Sequence, residues 1–420
     1  MKSVPTICQD ARFASKKLAK LTSGQKNDAL QRLSKWLVEQ QNTLLEANQK
    51  DVVLARQRGL SGALLDRLTL TPARIVSMAT DVLNVAGMPD PVGEVFEQRT
   101  LANGLHVHKQ RVPLGVLAVI YESRPNVTVD VACLALKSGN AIILRGGSET
   151  LHTNMALVTG IHTALGKAGI PLESVEFMDD PDHERVLELF KMHEFVDLLI
   201  PRGGAELHRF CREHSTIPVI TGGMGICHLF VDETADLNRS LQVIANAKLQ
   251  QPTVCNALDT LLVHQAVAKQ FIPLVIENLS QKGVTFRVEA ATLQMFGMRP
   301  TEQVLIAGVK DFDTEWLSLV LGIRAIASIE QAIEHILQHS TGHSDGILTN
   351  DMDNAKKFSQ SVDSAAVYVN ASTRFTDGGQ LGLGAEVAIS TQRVHARGPM
   401  GLRELTTYKW VIQGNYQVRS

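Results

Sequence analysis

Residues 115–144 read GVLAVIYESRPNVTVDVACLALKSGNAIIL, and this stretch decides the fold. Gly115 to Tyr121 is apolar at every position after the glycine, the mark of a strand covered on both faces. Val127 to Lys137 carries a helical pattern that stops at Gly139-Asn140, residues suited to a helix C-terminus. Ala141 to Leu144 is a second apolar run of strand length. Strand, helix and strand in that order specify two parallel neighbours joined by a crossover helix.

The same alternation continues outward. A helix over Thr153 to Ala168, a strand at Val175 to Met178, a helix over Asp182 to Met192 and a strand at Val196 to Ile200 come next. A helix over Ala205 to Glu213 and a strand at Val219-Ile220 complete a first cycle, and Asp236 caps a helix running to Leu249. A second cycle opens with strand Thr260 to His264 and helix Ala266 to Leu279. Strands Thr285 to Val288 and Gln303 to Ile306, helix Ile329 to Gln338, strand Gly346 to Leu348, helix Asp353 to Ser361 and strand Ala366 to Val369 follow. The expected class is α/β, with two domains built on parallel-type sheets. Ahead of both, Thr22 to Arg56 reads as helix with Ser23 as its cap, and Pro72 to Val85 as another. Residues 101–112 alternate polar and apolar like a solvent-edged strand or hairpin, and Leu405 to Val418 is amphipathic and strand-like.

Composition narrows the function. The chain has 420 residues, 44% hydrophobic and 20% charged, with a formal net charge of -2, an ordinary globular balance. Neither the charge nor an aromatic content of 5% points to nucleic acid or a membrane surface. No apolar run is long enough to span a bilayer, and the N-terminus lacks a signal-peptide core. Five scattered cysteines without a Cys-x-x-Cys pair make neither a disulfide framework nor a thiolate zinc site. These features imply a reduced, cytoplasmic protein, and no metal site is expected.

Cys255 stands apart from the other thiols. Cys133 lies on an apolar helical face, Cys211 inside a helix, Cys227 at the start of a strand and Cys8 in a terminal segment. Cys255 sits in QPTVCNALD, residues 251–259, a Pro-broken loop between a helix and a strand at the junction of the two cycles. Pro252 stops the preceding helix, which leaves the N–H groups of Cys255 and Asn256 free to hold an oxyanion. A thiol in such a loop is a candidate nucleophile. Three glycine turns accompany it: Arg145-Gly146-Gly147-Ser148-Glu149, Pro201-Arg202-Gly203-Gly204 and Thr221-Gly222-Gly223-Met224-Gly225. The first two follow strands, where N–H groups can face a phosphate, and Arg145 can bind a phosphate or a ribose hydroxyl.

The order Arg124-Pro125-Asn126, Lys137-Ser138-Gly139-Asn140, Arg145-Gly146-Gly147-Ser148-Glu149, Thr221-Gly222-Gly223 and then the Cys255 loop resembles the aldehyde dehydrogenase superfamily. The stretches 112–130, 199–205, 217–223, 339–345, 370–375 and 395–401 are similar to its γ-glutamyl phosphate reductase family, over nearly the whole chain. The resemblance implies NADPH-dependent reduction of L-glutamyl 5-phosphate to L-glutamate 5-semialdehyde with release of phosphate, the second step of proline biosynthesis from glutamate. In that chemistry Cys255 forms a thioester and the amide of Asn126 supports the oxyanion. Hydrolytic members carry a Glu ahead of the glycine pair, whereas this chain has Ile220-Thr221 before Gly222, so the base that would release the acyl group to water is missing.

By the same resemblance, Arg145 meets the 2′-phosphate of NADP, and Gly147, Ser148, Gly203, Gly204, Gly222 and Gly223 line the cofactor. Glu315 meets the nicotinamide ribose, though on residue type alone it reads equally as an exposed carboxylate. The Gly146 to Glu149 turn is one residue longer than the superfamily pattern, and no role carries over to Glu149. Arg124, Arg374 and Arg397 are candidate anchors for the substrate's carboxylate and phosphate, Glu122 for its ammonium group, and Asn256, beside the nucleophile, is a further candidate substrate contact. His343 reads as a loop histidine, with a catalytic base as the alternative. The implied architecture is aldehyde-dehydrogenase-like, with a cofactor-binding domain over 1–100 and 113–250, a catalytic domain over 251–385, and a small β oligomerisation element from 101–112 and 386–420. The implied partners are a second copy of the chain, as dimer or tetramer, and a separate glutamate 5-kinase that supplies the acyl phosphate and is a candidate contact. A CoA-acylating dehydrogenase and a non-catalytic scaffold are the alternatives.

Overall fold

In the computed structural model, which describes residues 2–60 and 62–419, the chain opens with helices. The first, α1 (Val4–Leu18), was not expected. Ser3 accepts from the Thr6 N–H, Pro5 sits in the first turn, and Val4, Ile7, Cys8, Ala11 and Leu18 are buried. The expected helix over 22–56 is two helices, α2 (Ser23–Glu39) and α3 (Gln41–Gln57), divided at Gln40. Its cap is Thr22 rather than Ser23: the Thr22 hydroxyl accepts from Gln25 N–H, and the Gln25 side chain accepts from Thr22 N–H at 3.0 Å. That reciprocal pair is a capping box, which Ser23 is one residue too late to form. Next come α4 (Gly62–Leu68) and α5 (Pro72–Gly87), the latter with Pro72 in its first turn.

A hairpin follows, with β1 (Val95–Thr100) antiparallel to β2 (His106–Pro113). The C-terminal strand, Thr406–Gln413, pairs antiparallel along the other side of β2 and completes a three-stranded sheet. The sequence then alternates as expected: β3 (Val116–Tyr121), α6 (Pro125–Lys137), β4 (Ala141–Gly146), α7 (Leu151–Lys167), β5 (Val175–Phe177), α8 (His183–Leu189), β6 (Leu198–Arg202) and α9 (Ala205–His214). The sheet order is β5-β4-β3-β6, with every pairing parallel. All six residues of β3 are buried, as a central strand between helices requires. Because β6 returns to the opposite side of β3 from β4, the order reverses there. The crevice beyond the carboxyl ends of β3 and β6 is where such folds take ligands. The first unit comprises Met1–Thr221, Gly382–Ala388 and Met400–Ser420.

The second unit, Gly222–Leu381 with Ile389–Pro399, carries its own sheet. Its elements are β7 (Cys227–Val231), α10 (Leu237–Leu249), β8 (Leu258–His264), α11 (Gln265–Ser280), β9 (Thr285–Val288), α12 (Ala290–Met295) and β10 (Val304–Ile306). They continue with β11 (Val320–Ile326), α13 (Ile329–His339), β12 (Ser344–Leu348), α14 (Met352–Ser361) and β13 (Ala366–Val369). Seven parallel strands run in the order β10-β9-β11-β8-β7-β12-β13. The division falls at Thr221/Gly222 rather than near residue 250, because β7 hydrogen-bonds β8 and β12 and so carries α10 with it. Likewise 386–420 is shared: Ile389–Ser390 pairs with Gly398–Pro399 in this unit, and the C-terminal strand stays with the first. β11 was not anticipated, yet it lies between β8 and β9 near the middle of the sheet.

Candidate active site

In the first unit the glycine turns gather at the carboxyl ends of β3, β4 and β6. Glu122 follows β3, and its carboxylate accepts from Gly204 N–H at 3.3 Å, at the start of α9. The carboxylate that the sequence reading gave to the substrate ammonium thus also touches the glycine turn. Arg145 ends β4 half-buried. Its guanidinium donates to the Pro181 carbonyl at 3.0 Å, and its Nε meets no protein acceptor. Burial lowers the Arg145 pKa, and the nearby carboxylates of Glu149 and Glu122 oppose that shift.

A buried chain of hydrogen bonds, which the sequence did not reveal, ties these turns to the helices. Tyr121 Oη meets Thr128 Oγ1 at 2.7 Å, Thr128 donates to Asn154 Oδ1 at 2.8 Å, Asn154 Nδ2 donates to Thr150 Oγ1 at 2.8 Å, and Thr150 donates to the Gly147 carbonyl at 2.9 Å. All four side chains are buried, so each link replaces a bond to water that the site excludes.

Arg124 stands at the N-cap of α6 in an extended conformation, and Pro125 occupies the first turn. Asn126 is exposed there, and its Nδ2 donates to Asp130 Oδ2 one turn along at 2.8 Å. Burial pushes the Asp130 carboxyl up to about 7, against the pull of the Asn126 hydrogen bond.

In the second unit the loop between α10 and β8 holds Cys255. Cys8, Cys133, Cys211 and Cys227 are buried, and Cys255 alone of the five is partly exposed. Burial pushes Cys8 and Cys211 up to about 12 and raises Cys133 and Cys227 well above the ordinary thiol, so none of those four ionises readily. The base of the loop is closed by Lys248 at the end of α10 and Asp259 in β8, both buried, with Nζ 3.6 Å from Oδ1.

The Cys255 carbonyl is pinned from two sides. Cys227 Sγ donates to it at 3.2 Å. A Cβ at Gly225 would lie 1.6 Å from the same oxygen, so this position admits only glycine. The Thr221 to Gly225 turn is therefore more than a backbone bend. Gly222 likewise backs onto the Ile389 carbonyl, and Gly223 has φ +85°.

Asn256 is buried and serves the loop itself. Its Nδ2 donates to the carbonyls of Arg374 at 3.4 Å and Thr376 at 3.0 Å, and its Oδ1 accepts from the Arg374 guanidinium. Thr373, which sequence reasoning missed, donates to the Asn256 carbonyl at 2.7 Å. Arg374 also donates to Gln250 Oε1 at 3.1 Å. Burial lowers its pKa, and the Cys255 thiol is the foremost group opposing that shift. Arg397, also in this unit, is ion-paired to Asp363 at 2.6 Å.

Glu315 accepts from Gly225 N–H at 2.9 Å, beside the Cys255 loop, and burial pushes its carboxyl up to about 7. His343 lies in the bend just before β12, as a loop histidine; it is fully buried against Ser344 at 2.8 Å, and burial depresses its pKa to about 4, which keeps it neutral.

Known proteins resemble the chain in sequence and in fold. Residues 1–292 match the profile described as the aldehyde dehydrogenase family. A γ-glutamyl phosphate reductase from Vibrio vulnificus is 54% identical over 415 residues, 99% of each chain. The crystal structure of a γ-glutamyl phosphate reductase from Thermotoga maritima superposes with a TM-score of 0.96 at 48% identity, covering 100% of both chains. An acetylating aldehyde dehydrogenase from Geobacillus thermoglucosidasius, 19% identical with a TM-score of 0.72 over 99% and 97% of the two chains, shares the fold. The chain belongs to the aldehyde dehydrogenase family and, within it, to the γ-glutamyl phosphate reductases.

Proposed function

We propose that this chain reduces L-glutamyl 5-phosphate to L-glutamate 5-semialdehyde and phosphate, the second step in making proline from glutamate, through a thioester on Cys255. The observation that carries the reading is the end-to-end match with γ-glutamyl phosphate reductases. Cys255, the partly exposed thiol of the five, is its nucleophile. The thiolate attacks the γ-carbonyl carbon, the C–O bond to phosphate breaks, and phosphate leaves with the electron pair. Arg374 supplies positive charge that favours the thiolate and the anionic substrate. Asn126 donates its amide N–H to the developing oxyanion, a contact of about 3 kcal/mol in comparable sites. Neither Ile220 nor Thr221, just ahead of Gly222, can act as a base toward water, which leaves the thioester intact until it is reduced.

When bound, a nicotinamide cofactor, read as NADPH, would supply the hydride for reducing the Cys255 thioester to the aldehyde, with the thiol regenerated. The residues present fit such a group. The N–H at the start of α9 already meets a carboxylate, as it would a phosphate, and the Arg145 Nε is left without a protein acceptor. Gly203, Gly204 and Gly147 with Ser148 would cradle the pyrophosphate and adenosine side, and Arg145 the 2′-phosphate. Gly222, Gly223 and Glu315 would hold the nicotinamide side. No helix among the described residues is long and apolar enough to cross a membrane, and we read the enzyme as cytoplasmic and homo-oligomeric.

The test is NADP reduction with glutamate 5-semialdehyde, run with inorganic phosphate and separately with CoA. Turnover should require phosphate and be absent with CoA. Cys255→Ala should lower it about 1000-fold or more while Tm stays within about 2 °C. CoA-dependent turnover, or a Cys255→Ala enzyme of normal rate, removes the reading.

A further inference from the structure

Glu149 carries no role from the family resemblance, yet its carboxylate is committed. Its Oε1 accepts from Ser123 N–H at 2.7 Å and from Ser123 Oγ at 2.8 Å. Ser123 sits at φ +45°, in the left-handed region that a side chain disfavours. It is the residue directly before Arg124-Pro125-Asn126, in the turn that launches α6. Left to itself, a serine there would relax toward an extended conformation and redirect that turn. The two bonds to one carboxylate oxygen oppose the relaxation.

The surroundings are arranged for this contact. A Cβ at Gly147 would stand 2.3 Å from both Glu149 carboxylate oxygens, so the position is kept bare where the carboxylate passes. Glu149 lies in the short 3-10 turn Ser148–Thr150, and Thr150 within that turn is tied through Asn154 and Thr128 to Tyr121 at the end of β3. The clamp thus reaches Ser123 from a base that is itself fixed to β3 and α6.

We propose that Glu149 is a positioning residue: it locks the Ser123 turn and so sets where Arg124 and Asn126 stand at the head of α6. This rests on the reading of Asn126 as the oxyanion donor. The role is geometric, so it should act on turnover rather than on cofactor affinity, and glycine at 123 should make it dispensable.

The experiment measures kcat for phosphate-dependent oxidation of glutamate 5-semialdehyde, and Kd for NADPH by fluorescence titration, on the same purified proteins. Glu149→Ala should lower kcat about 10- to 100-fold, the scale of a small misplacement of reacting groups. Its Kd for NADPH should move less than about threefold, well below the loss expected of a direct charged ligand. Glu149→Gln should stay within about threefold of wild type, because its amide oxygen accepts both bonds. Adding Ser123→Gly to Glu149→Ala should restore kcat to within about threefold of Ser123→Gly alone, because glycine takes this φ unaided. If Glu149→Ala does not fold, Glu149→Asp, one methylene short of Ser123, takes its place. A wild-type kcat for Glu149→Ala, a loss confined to Kd, a Glu149→Gln as slow as Glu149→Ala, or a double variant that Ser123→Gly fails to restore each overturns the inference. Asn126→Ala separates this from the wider reading. A wild-type kcat there removes the oxyanion role, whereas a slow Asn126→Ala beside a normal Glu149→Ala removes only the clamp.

Discussion

Glu315 is a carboxyl whose ionisation falls near neutrality because burial disfavours its charge, while one N–H, from Gly225, favours it. The ordinary value is 4.5 and the folded value about 7, so between these the folded chain keeps a proton that the unfolded chain has released. Stability from this group therefore falls as pH rises through that window and is level above it. Glu315→Gln removes the effect, so Tm of the variant minus Tm of wild type should grow from pH 4.5 to pH 7. Function should run the other way. As the proposed acceptor for a ribose hydroxyl, the carboxylate is most effective when ionised, and Kd for NADPH should fall as pH rises from about 6 to about 8. In Glu315→Gln the pH dependence should flatten, with Kd at the alkaline end raised about 10-fold. A pH-independent wild-type Kd in fluorescence titration excludes the carboxylate from the cofactor. Cys255 could be singled out in the sequence because it sits in a loop between patterned elements, and Arg374 because it lies in the 370–375 stretch similar to the γ-glutamyl phosphate reductases. Cys227 and Thr373 were not, because they contact the Cys255 loop only through β7 and the segment after β13.

At the scale of elements, the βαβ alternation was readable because fully covered strands are apolar at every position, as in β3. Two of the elements missed have plain physical reasons. Helix α1 buries Val4, Ile7 and Leu18, but Cys8, Ala11, Ala14 and Ser15 fill the positions between them and dilute the apolar stripe. Strand β11 contains Arg324, whose guanidinium leaves the sheet to pair with Glu289 at 2.9 Å and interrupts the apolar run. The turn into β7 was the larger loss. Its glycines read as a bend, and nothing local says that Gly225 lies against the Cys255 carbonyl. Gly225→Ala should displace that carbonyl, because the obstructing atom is backbone and cannot swing away. A cost of about 1–3 kcal/mol in urea unfolding is expected. So is a loss of kcat of about 100-fold, since the nucleophile's loop moves with its carbonyl. Normal kcat with unchanged stability would mean that the turn accommodates the methyl and that the pinning is incidental.

Across the whole chain, the sequence displayed two α/β units and two amphipathic strand segments, but not that the strands pair with each other. β2 and the C-terminal strand meet in register, Lys109 opposite Trp410, although more than half of the chain separates them. Pairing between such distant segments depends on where the intervening units leave their ends, which no local pattern encodes. One face of this sheet carries Phe96, Tyr408 and Trp410, with the Lys109 ammonium 4.5 Å from the Tyr408 ring centre and 5.1 Å from that of Trp410. Trp410 and Ile412 remain 46% and 62% exposed, and the outer edge of the C-terminal strand has no hydrogen-bonded neighbour among the described residues. An exposed aromatic face beside an open edge is a surface that a second copy of the chain would cover. A stable interface of about 1,200–2,000 Å² needs such anchors at its centre rather than its rim. Trp410→Glu with Ile412→Lys should therefore convert a dimer or tetramer into a smaller species in sedimentation velocity at micromolar protein. Far-UV circular dichroism should stay at wild-type values, because neither side chain belongs to a buried core. If the double variant sediments as wild type does, the exposed aromatic face is not an interface between copies of the chain.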